Sequence, residues 1–364
     1  MPALFRPIRI RDLEIRNRIW VPPLCQYSVT ARDGVPTDWH LVHLGSMAAG
    51  GAGLVIAEAT AIHPDGRISD HDTGIWSDDQ VVAWRRITDF IRSQGAASGL
   101  QLAHAGRKAS AWPEQLRLHG SQPVEQGGWQ TVSASAIAFD GMRAPVALDE
   151  AGIRAVIADF RAAAARAVRA GFDLVEVHAA HGYLLHQFLS PLSNHRDDAW
   201  GGDLAGRARL LLEVVREVRA EIGERMPLFV RFSATDWVDG GWDEAQTAQA
   251  AKWAQDAGAD LADISTGGLV ATASIPVGPG YQVAHASYVG EHGGVPVSAV
   301  GRITRPADAE ALVAAGRADA VMFGKAMMRD PHFALRAAYE LGAGSSMWPV
   351  PYLRARPEAN DGEW

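Results

Sequence analysis

The segment Ala170-Gly171-Phe172-Asp173-Leu174-Val175 places a glycine directly before a run of mostly apolar residues. A similar order of residues occurs three more times, at 51–55 (GAGLV), 257–261 (AGADL) and 315–321 (AGRADAV). Glycine can adopt the left-handed conformation that ends a helix, and the apolar run after it is typical of a buried parallel strand. Four copies of one helix-to-strand junction favour a closed (β/α)₈ barrel over an open doubly wound sheet.

The rest of the chain continues this alternation of strands and helices. Short apolar runs predict eight strands, at Arg18–Val21, Gly53–Ala59, Ser98–Ala103, Phe172–His178, Pro227–Ser233, Asp260–Ser265, Pro296–Gly301 and Asp319–Gly324. Amphipathic segments predict helices at Asp79–Gln94, Asp149–Ala170, Ala205–Ile222, Asp243–Asp256 and Pro306–Ala315. No glycine-rich fingerprint follows the first strand, which counts against a dinucleotide-binding sheet. We therefore expect an α/β fold, a single (β/α)₈ TIM barrel, with an N-terminal hairpin at Leu4–Asp12.

Composition excludes several classes of protein. The chain has 364 residues, 48% of them hydrophobic and 21% charged, which is typical of a globular protein and long enough for one large barrel. A net charge of −8 argues against a nucleic-acid partner. The lone cysteine, Cys25, rules out an intrachain disulfide and any iron–sulfur cluster built from this chain's thiolates alone. Without a signal-like start or a long apolar run, we expect a cytoplasmic protein with no membrane segment.

One connection is much longer than a barrel crossover requires. Residues 104–148 contain Trp112-Pro113 and Gly127-Gly128-Trp129 and few periodic apolar positions. A loop of this size on a compact barrel is typical of a lid or a substrate-binding excursion. We expect one barrel domain, residues 1–345, that includes this capping loop at 104–148. Residues 346–364, rich in proline, arginine and acidic residues, are expected to form a C-terminal tail.

The active site of such a barrel lies at the carboxyl ends of its strands. Gly301 follows the seventh predicted strand, and Gly324-Lys325 follows the eighth. Glycines let a phosphate group approach backbone N–H groups, and the lysine adds a cation. The simpler interpretation is that these glycines only form tight turns. Two such loops beside a cation favour the phosphate site.

A second group of polar residues, His178-Ala179-Ala180-His181-Gly182-Tyr183, follows the fourth predicted strand. Two imidazoles and a phenol at a strand end indicate either a metal site or a set of donors for a substrate oxygen. A zinc site requires a third protein ligand, and no other strand end carries an obvious partner motif. The alternative in which both histidines only bond backbone carbonyls is less favoured for two histidines and a tyrosine together.

Several longer motifs resemble one known family. They are Pro23-Leu24-Cys25-Gln26-Tyr27, residues 72–78 (DTGIWSD), residues 101–108 (QLAHAGRK), residues 177–184 (VHAAHGYL), residues 188–196 (FLSPLSNHR), Gly280-Tyr281-Gln282-Val283 and Arg329-Asp330-Pro331. In this order, and over nearly the whole chain, they are similar to the old yellow enzyme family. The resemblance is strongest to its bacterial thermophilic-like members, the ene-reductases of the NADPH dehydrogenase and xenobiotic reductase type. The family fold is the same TIM barrel.

The resemblance implies an FMN-dependent NAD(P)H oxidoreductase that reduces activated C=C bonds of α,β-unsaturated carbonyl compounds. Tightly bound FMN would be held by Pro22, Pro23, Leu24, Cys25, Ala59, Gln101, His178, Arg231, Gly301, Gly324 and Lys325. NAD(P)H would be a transient electron donor, and a small enone would then take its place. His178 and His181 would bind the carbonyl oxygen, Tyr183 would donate a proton to Cα, and Tyr27 and Cys25 would contact the substrate.

The resemblance also implies a homodimer or a dimer of dimers. Arg354, in the tail, matches by position an arginine that in this subgroup reaches the active site of the neighbouring subunit and contacts the substrate. Lys325 departs from the family, because an arginine is common at that position and a lysine cannot form the same bidentate contact with a phosphate.

Three other functions are alternatives to this one, and the sequence excludes the second of them. A metal-dependent barrel hydrolase would use His178 and His181 as ligands. Flavoenzymes of the dienoyl-CoA reductase or trimethylamine dehydrogenase type need an iron–sulfur cluster, which one cysteine excludes. A flavin-binding sensor without turnover would have no use for a proton donor at Tyr183.

Overall fold

The computed structural model describes residues 1–344 and 347–357. Eight parallel strands form a closed barrel in the order β3-β4-β5-β8-β9-β10-β11-β12, and β12 pairs with β3 to complete it. These strands are β3 (Ile19–Val21), β4 (Leu54–Ala61), β5 (Ala97–Ala103), β8 (Leu174–Ala179), β9 (Leu228–Ser233), β10 (Leu261–Ser265), β11 (Val297–Ala299) and β12 (Ala320–Met322). The predicted (β/α)₈ barrel is confirmed, and each predicted strand overlaps one of these eight.

The barrel has an inner and an outer apolar core, which explains why its strands are apolar at nearly every position. All residues of β4, β5, β8, β9 and β10 are buried. Inside the barrel, Trp20 stacks on Phe229 with ring centroids 5.8 Å apart. Outside it, the strands pack against the surrounding helices, with residues such as Phe160 fully buried. Both faces of these strands are therefore buried.

The helices lie outside the barrel. They are α1 (Asp38–Ala49), α2 (Asp78–Ser93), α3 (Glu150–Arg169), α4 (Leu184–Leu189), α5 (Leu204–Ile222), α6 (Glu244–Asp256), α7 (Val283–Gly293), α8 (Pro306–Ala314), α9 (Lys325–Arg329) and α10 (Phe333–Glu340). Ser77 and Gln80 form a reciprocal capping box at the start of α2. Among the described residues, no helix is both long enough and apolar enough to cross a membrane.

The N-terminal hairpin is present, but the predicted bounds Leu4–Asp12 are wrong. Its strands are β1 (Ile8–Ile10) and β2 (Leu13–Ile15), and Arg11 forms the turn with a φ of +52°. Leu4 instead belongs to a short 3₁₀ turn, Ala3–Phe5, whose first backbone N–H groups donate to the Glu310 carboxylate. Apolar residues of the hairpin pack against the inner core from below.

The long connection at 104–148 contains three 3₁₀ turns and a two-stranded parallel pair, β6 (Val132–Ser133) with β7 (Val146–Ala147). Side chains anchor it to the barrel rim. The Gln115 amide donates to the carbonyl oxygens of Gln26 and Tyr27, and the Gln122 amide donates to the Asp70 carboxylate at 3.2 Å. The connection therefore lies against the loop that follows β3.

Candidate active site

A layer of buried polar side chains spans the barrel just below its carboxyl-terminal rim. Gln101 on β5 donates its amide to the Glu176 carboxylate on β8 at 2.8 Å. Across the layer, Arg231 on β9 lies 2.9 Å from the Asp263 carboxylate on β10. Burial, with the Asp263 charge nearby, raises the pKa of Glu176 to about 8. A protonated Glu176 leaves Arg231 and Asp263 as the one ion pair of this layer.

The two predicted histidines and Tyr183 lie together directly above this layer. The His178 ring is 5.1 Å from the His181 ring and 5.1 Å from the Tyr183 ring, centroid to centroid. His178 is the register partner of Arg231, so the guanidinium lies on the adjacent strand. The structure therefore brings the three proposed catalytic side chains into one cluster.

A set of contacts fixes the backbone of this histidine turn. His181 has a φ of +58°, and its backbone N–H donates to the Ser233 hydroxyl at 2.9 Å. The Lys108 ammonium donates to the carbonyl oxygens of His181 and Gly268, both at 2.9 Å. Gly182 has a φ of +71°, and a Cβ there would lie 2.2 Å from the Gly268 carbonyl oxygen. The turn thus packs tightly against the loop after β10.

The electrostatic environment decides which of these groups carry protons. Burial lowers the pKa of both His178 and His181 well below the usual range, and the Arg231 charge acts in the same direction. Burial also raises the pKa of Tyr183 well above 10. At neutral pH the two imidazoles are therefore neutral, with one N–H each, and the phenol keeps its proton.

Cys25 and Tyr27 lie on the loop after β3. The Cys25 thiol is within hydrogen-bond reach of the Ala59 backbone and the Tyr27 hydroxyl, and burial together with Glu58 and Asp72 raises its pKa. Tyr27 has a φ of +50°. A thiol of raised pKa remains protonated, so Cys25 has contacts suited to packing and weak hydrogen bonding rather than to nucleophilic attack.

A cavity of about 810 Å³ opens at the ends of β3, β9, β11 and β12. Seven of the predicted cofactor residues line it: Pro22, Pro23, Leu24, Arg231, Gly301, Gly324 and Lys325. Arg302 and Arg329 bring further positive charge, and no carboxylate is among its described lining residues. A cavity with this excess of cations is suited to a phosphorylated ligand.

The remaining predicted residues do not line this cavity. Ala59, Gln101 and Cys25 are connected to the site through the contacts given above. Tyr27 lines a separate cavity of about 430 Å³ together with Trp39 and Leu116. Arg354 does not join the cluster: its side chain is exposed and, in the described part of the chain, makes no hydrogen bond or ion pair. The predicted boundary at residues 345 and 346, and the end of the tail at 358–364, lie outside the described residues.

Several site residues were not assigned a role from sequence. Lys108 clamps the histidine turn, although its position in the 101–108 motif carried no structural information. Ser265 lies 2.8 Å from the His181 Nε2, and Gln282 donates to the Val300 carbonyl beside the cavity. Glu176 stands two positions before His178 on β8, and that spacing places both side chains on the same face of the strand. This spacing is a signal that could have identified Glu176.

Comparison with known proteins adds the family. A family model described as "NADH:flavin oxidoreductase / NADH oxidase family" matches residues 3–343. The chain belongs to this family. It is 45% identical over 356 residues to an NADPH dehydrogenase of Listeria monocytogenes, covering 98% of this chain and 99% of that protein. The resemblance to old yellow enzymes is thereby confirmed.

Solved structures of family relatives agree with the fold. The old yellow enzyme homologue of Zymomonas mobilis superposes with a TM-score of 0.76 at 29% identity, over 98% of this chain and 100% of that chain. A 2-naphthoyl-CoA reductase superposes with a TM-score of 0.85 at 26% identity, over 93% of this chain. The match spans only 52% of the latter, so that protein has about twice the matched length.

This member of the flavin oxidoreductase family is an NAD(P)H-dependent enzyme whose cofactor is FMN. The cavity fits that cofactor. Glycine-containing loops and cations line it at the ends of β11 and β12, where a phosphate could bind, and the buried Arg231 lines it on β9. Gly301 has a φ of +128°, a conformation that favours glycine. For the metal alternative, no group of three His, Cys, Asp or Glu side chains within 1–344 and 347–357 is arranged to hold a metal ion. Family and geometry therefore both favour the flavoenzyme.

Proposed function

We propose that this oxidoreductase reduces activated C=C bonds of α,β-unsaturated carbonyl and related compounds. The grouping of His178, His181 and Tyr183 beside a cationic, glycine-containing cavity carries the proposal. Their rings are neighbours at 5.1 Å, and the pKa shifts make the imidazoles neutral N–H donors and the phenol a proton carrier. A carbonyl oxygen bound by the two imidazoles becomes more negative as a hydride arrives at Cβ, and preorganised donors favour that charge.

Tyr183 then provides the proton for Cα. Its pKa is raised by burial and by nearby acidic groups, so the proton stays on oxygen until a strongly basic carbon forms. The Lys108 ammonium, 5.0 Å from the centre of the Tyr183 ring, stabilises the phenolate left after transfer. Neither imidazole supplies this proton, because both are already neutral.

FMN would be held by the eleven residues that the resemblance implies. Seven of them line the cavity, namely Pro22, Pro23, Leu24, Arg231, Gly301, Gly324 and Lys325. The other four, Cys25, Ala59, Gln101 and His178, belong to the loop after β3 and to β4, β5 and β8. FMN held there would provide the hydride for the reaction. Arg231 stabilises negative charge at its side of the site, and Gln101 can both donate and accept through its amide. Lys325 gives the phosphate a single cationic contact.

We also propose the assembly that completes the site. Residues 1–345, with the capping loop 104–148, form the FMN-binding unit, and 346–364 form a tail. The enzyme is a homodimer, or a dimer of dimers, in which Arg354 of one subunit reaches the substrate of its neighbour. The exposed Arg354, with the exposed Tyr352 and Leu353 beside it, supports a contact outside its own subunit. The lone thiol of Cys25 supports a cytoplasmic location.

Replacement of Tyr183 by phenylalanine tests the reaction. The NAD(P)H-dependent half-reaction should keep its rate, while reoxidation by cyclohexenone should slow by roughly 10²–10⁴-fold, because only the second half-reaction needs a proton donor. Stopped-flow absorbance separates the two steps. Tyr288→Phe is the matched control, since Tyr288 stacks on His292 on α7, away from the rim. Equal losses in both half-reactions of Tyr183→Phe would contradict the proton-donor role.

A further inference from the structure

Three imidazoles, those of His178, His181 and His186, lie in or beside the histidine turn, and backbone groups fix the tautomer of two of them. The Ala180 backbone N–H donates to His178 Nδ1 at 3.3 Å, and the Gly182 backbone N–H donates to His186 Nδ1 at 2.9 Å. A backbone N–H can only donate, so the receiving nitrogen carries no proton. His178 and His186 therefore carry their proton on Nε2, and for His186 this nitrogen faces the Asp236 carboxylate at 3.1 Å.

His181 has a different kind of partner. Its Nε2 lies 2.8 Å from the Ser265 hydroxyl, which can either donate or accept. The described residues give its Nδ1 no hydrogen-bond partner. The proton of the hydroxyl therefore decides which nitrogen of His181 is left as the donor.

Two acceptors compete for the Ser265 proton. One is His181 Nε2 at 2.8 Å, and the other is Gln282 Oε1 at 3.4 Å. The same Gln282 oxygen already accepts from the Thr266 hydroxyl at 2.7 Å. A hydrogen bond of 2.8 Å is near the optimum for a hydroxyl, whereas one of 3.4 Å is weak. Donation to His181 is therefore the stronger of the two bonds that the Ser265 proton can make.

We propose that Ser265 is a positioning residue that sets the tautomer of His181, donating its hydroxyl proton to Nε2 so that His181 keeps its own proton on Nδ1. The inference rests on the proposed function, in which the histidines meet a substrate oxygen. His178 then offers Nε2–H and His181 offers Nδ1–H. With the opposite tautomer, His181 would present a nitrogen lone pair to that oxygen, and this lone pair and those of the oxygen would repel each other.

The neighbouring Thr266 supports this arrangement. By donating to Gln282 Oε1 at 2.7 Å it occupies one lone pair of the competing acceptor, and the Gln282 amide is itself oriented by its bond to the Val300 carbonyl at 3.2 Å. Because burial keeps the pKa of His181 well below its usual range, a second ring proton does not restore the missing donor. The position of one proton thus controls half of the oxygen-binding pair.

The ¹⁵N spectrum of the holoenzyme labelled in its histidines tests the tautomer directly, because protonated and unprotonated ring nitrogens differ in shift. A His181→Gln variant identifies the signals. In the unaltered enzyme we expect His181 to be protonated on Nδ1, and in Ser265→Ala the proton should move at least partly to Nε2. Ser265→Thr keeps a hydroxyl and should restore the original spectrum. Ser298→Ala is the control, since its hydroxyl bonds Asp263 at 2.8 Å and not His181.

Affinity for 4-hydroxybenzaldehyde gives a second readout. Loss of one donor should weaken its binding roughly tenfold in Ser265→Ala, with recovery in Ser265→Thr and no change in Ser298→Ala. Two results would overturn the inference: a His181 ring proton on Nε2 in the unaltered enzyme, or a ¹⁵N spectrum that does not change in Ser265→Ala. The proposed function fails in a different way: binding of the phenol would then be insensitive to His178→Ala, whatever the tautomer of His181.

Discussion

Replacement of Lys108 by methionine separates the stability of the barrel from the geometry of its site. Lys108 donates to the carbonyl oxygens of His181 and Gly268, and its ammonium also lies 4.7 Å from the centre of the Phe139 ring. Methionine keeps most of the side-chain volume but can bond neither carbonyl. The substitution therefore removes the clamp between the histidine turn and the loop after β10.

Two opposing free-energy contributions determine its effect on folding. Each carbonyl that loses its buried donor costs about 1–3 kcal/mol. In the other direction, burial and the Arg107 charge lower the pKa of Lys108 from 10.5 to about 8, so its buried charge costs about 3 kcal/mol. The contributions are similar in size. We therefore expect Lys108→Met to change the free energy of unfolding by an amount between a gain of about 1 kcal/mol and a loss of about 3 kcal/mol.

The site should change much more than the overall stability. Without the ammonium, the strained His181 turn keeps its backbone bonds to Ser233 and His186 but loses the donor to the His181 carbonyl, and the phenolate of Tyr183 loses a nearby cation. Displacement of reacting groups by about 1 Å can cost roughly 100-fold in rate. We expect the oxidative half-reaction with cyclohexenone to slow by about that factor and the affinity for 4-hydroxybenzaldehyde to fall.

Denaturant unfolding and stopped-flow absorbance measure the two effects in the same preparation. Lys252→Met is the matched control, because Lys252 is an exposed residue of α6 without a partner in the described chain. A loss of more than about 4 kcal/mol would show that the clamp is mainly structural. An oxidative half-reaction as fast as that of Lys252→Met would refute the positioning argument.

Two further predictions concern the buried layer and the tail. Because the pKa of Glu176 is raised from 4.5 to about 8, the unfolded chain releases this proton first, and the free energy of unfolding falls as the pH rises between these values. Glu176→Gln removes that fall. Relative to the unaltered enzyme, the variant should therefore be stabilised more at pH 8 than at pH 5, by at most about 5 kcal/mol. An equal difference in the free energy of unfolding at the two pH values would contradict the raised pKa of Glu176. For the tail, mixed dimers of one Tyr183→Phe subunit and one Arg354→Ala subunit should recover cyclohexenone reduction. If Arg354 acts in the neighbouring subunit, the active site of the Arg354→Ala subunit has its own Tyr183 and receives Arg354 from the other subunit. Mixed enzyme no faster than the parent variants would place Arg354 in its own subunit or outside the site.

The fold was predictable because its decisive signals are local. Gly51, Gly171, Gly258 and Gly316, the glycines of the four repeated junctions, all have positive φ, between +66° and +119°. Each ends a helical segment and allows the chain to enter a buried strand. Helix α1 was missed because its apolar residues are not confined to one face: Leu44 and Met47 are buried, while Trp39 and Val42 are exposed. A weak period gives no amphipathic signal.

The hairpin bounds depended on a contact that no local pattern contains. The Glu310 carboxylate, on α8, accepts from the backbone of Ala3 and Leu4 and holds them in a 3₁₀ turn. More than 300 residues separate these partners. The same limit applies to the site. Strand ends predicted which side chains share the rim, but the bond between His181 and Ser265 joins the turn after β8 to the last residue of β10, 84 residues further along the chain.

The cations around the histidines explain how the roles at this rim are divided. Burial keeps the pKa of His178 and His181 low, and the charges of Arg231 and Lys108 act in the same direction, so neither imidazole becomes an acid near neutral pH. Their function is limited to hydrogen-bond donation, which requires a fixed tautomer but no proton transfer. Tyr183, with a raised pKa and an ammonium beside its ring, is the group in this cluster that holds a proton able to move. Lys108→Met removes a positive charge, so it favours protonation of His178 and His181 and makes Tyr183 a weaker acid. We therefore expect phenol binding in that variant to acquire a new dependence on pH. If phenol binding in Lys108→Met varied with pH as it does in the unaltered enzyme, the cation would have no part in keeping the imidazoles neutral.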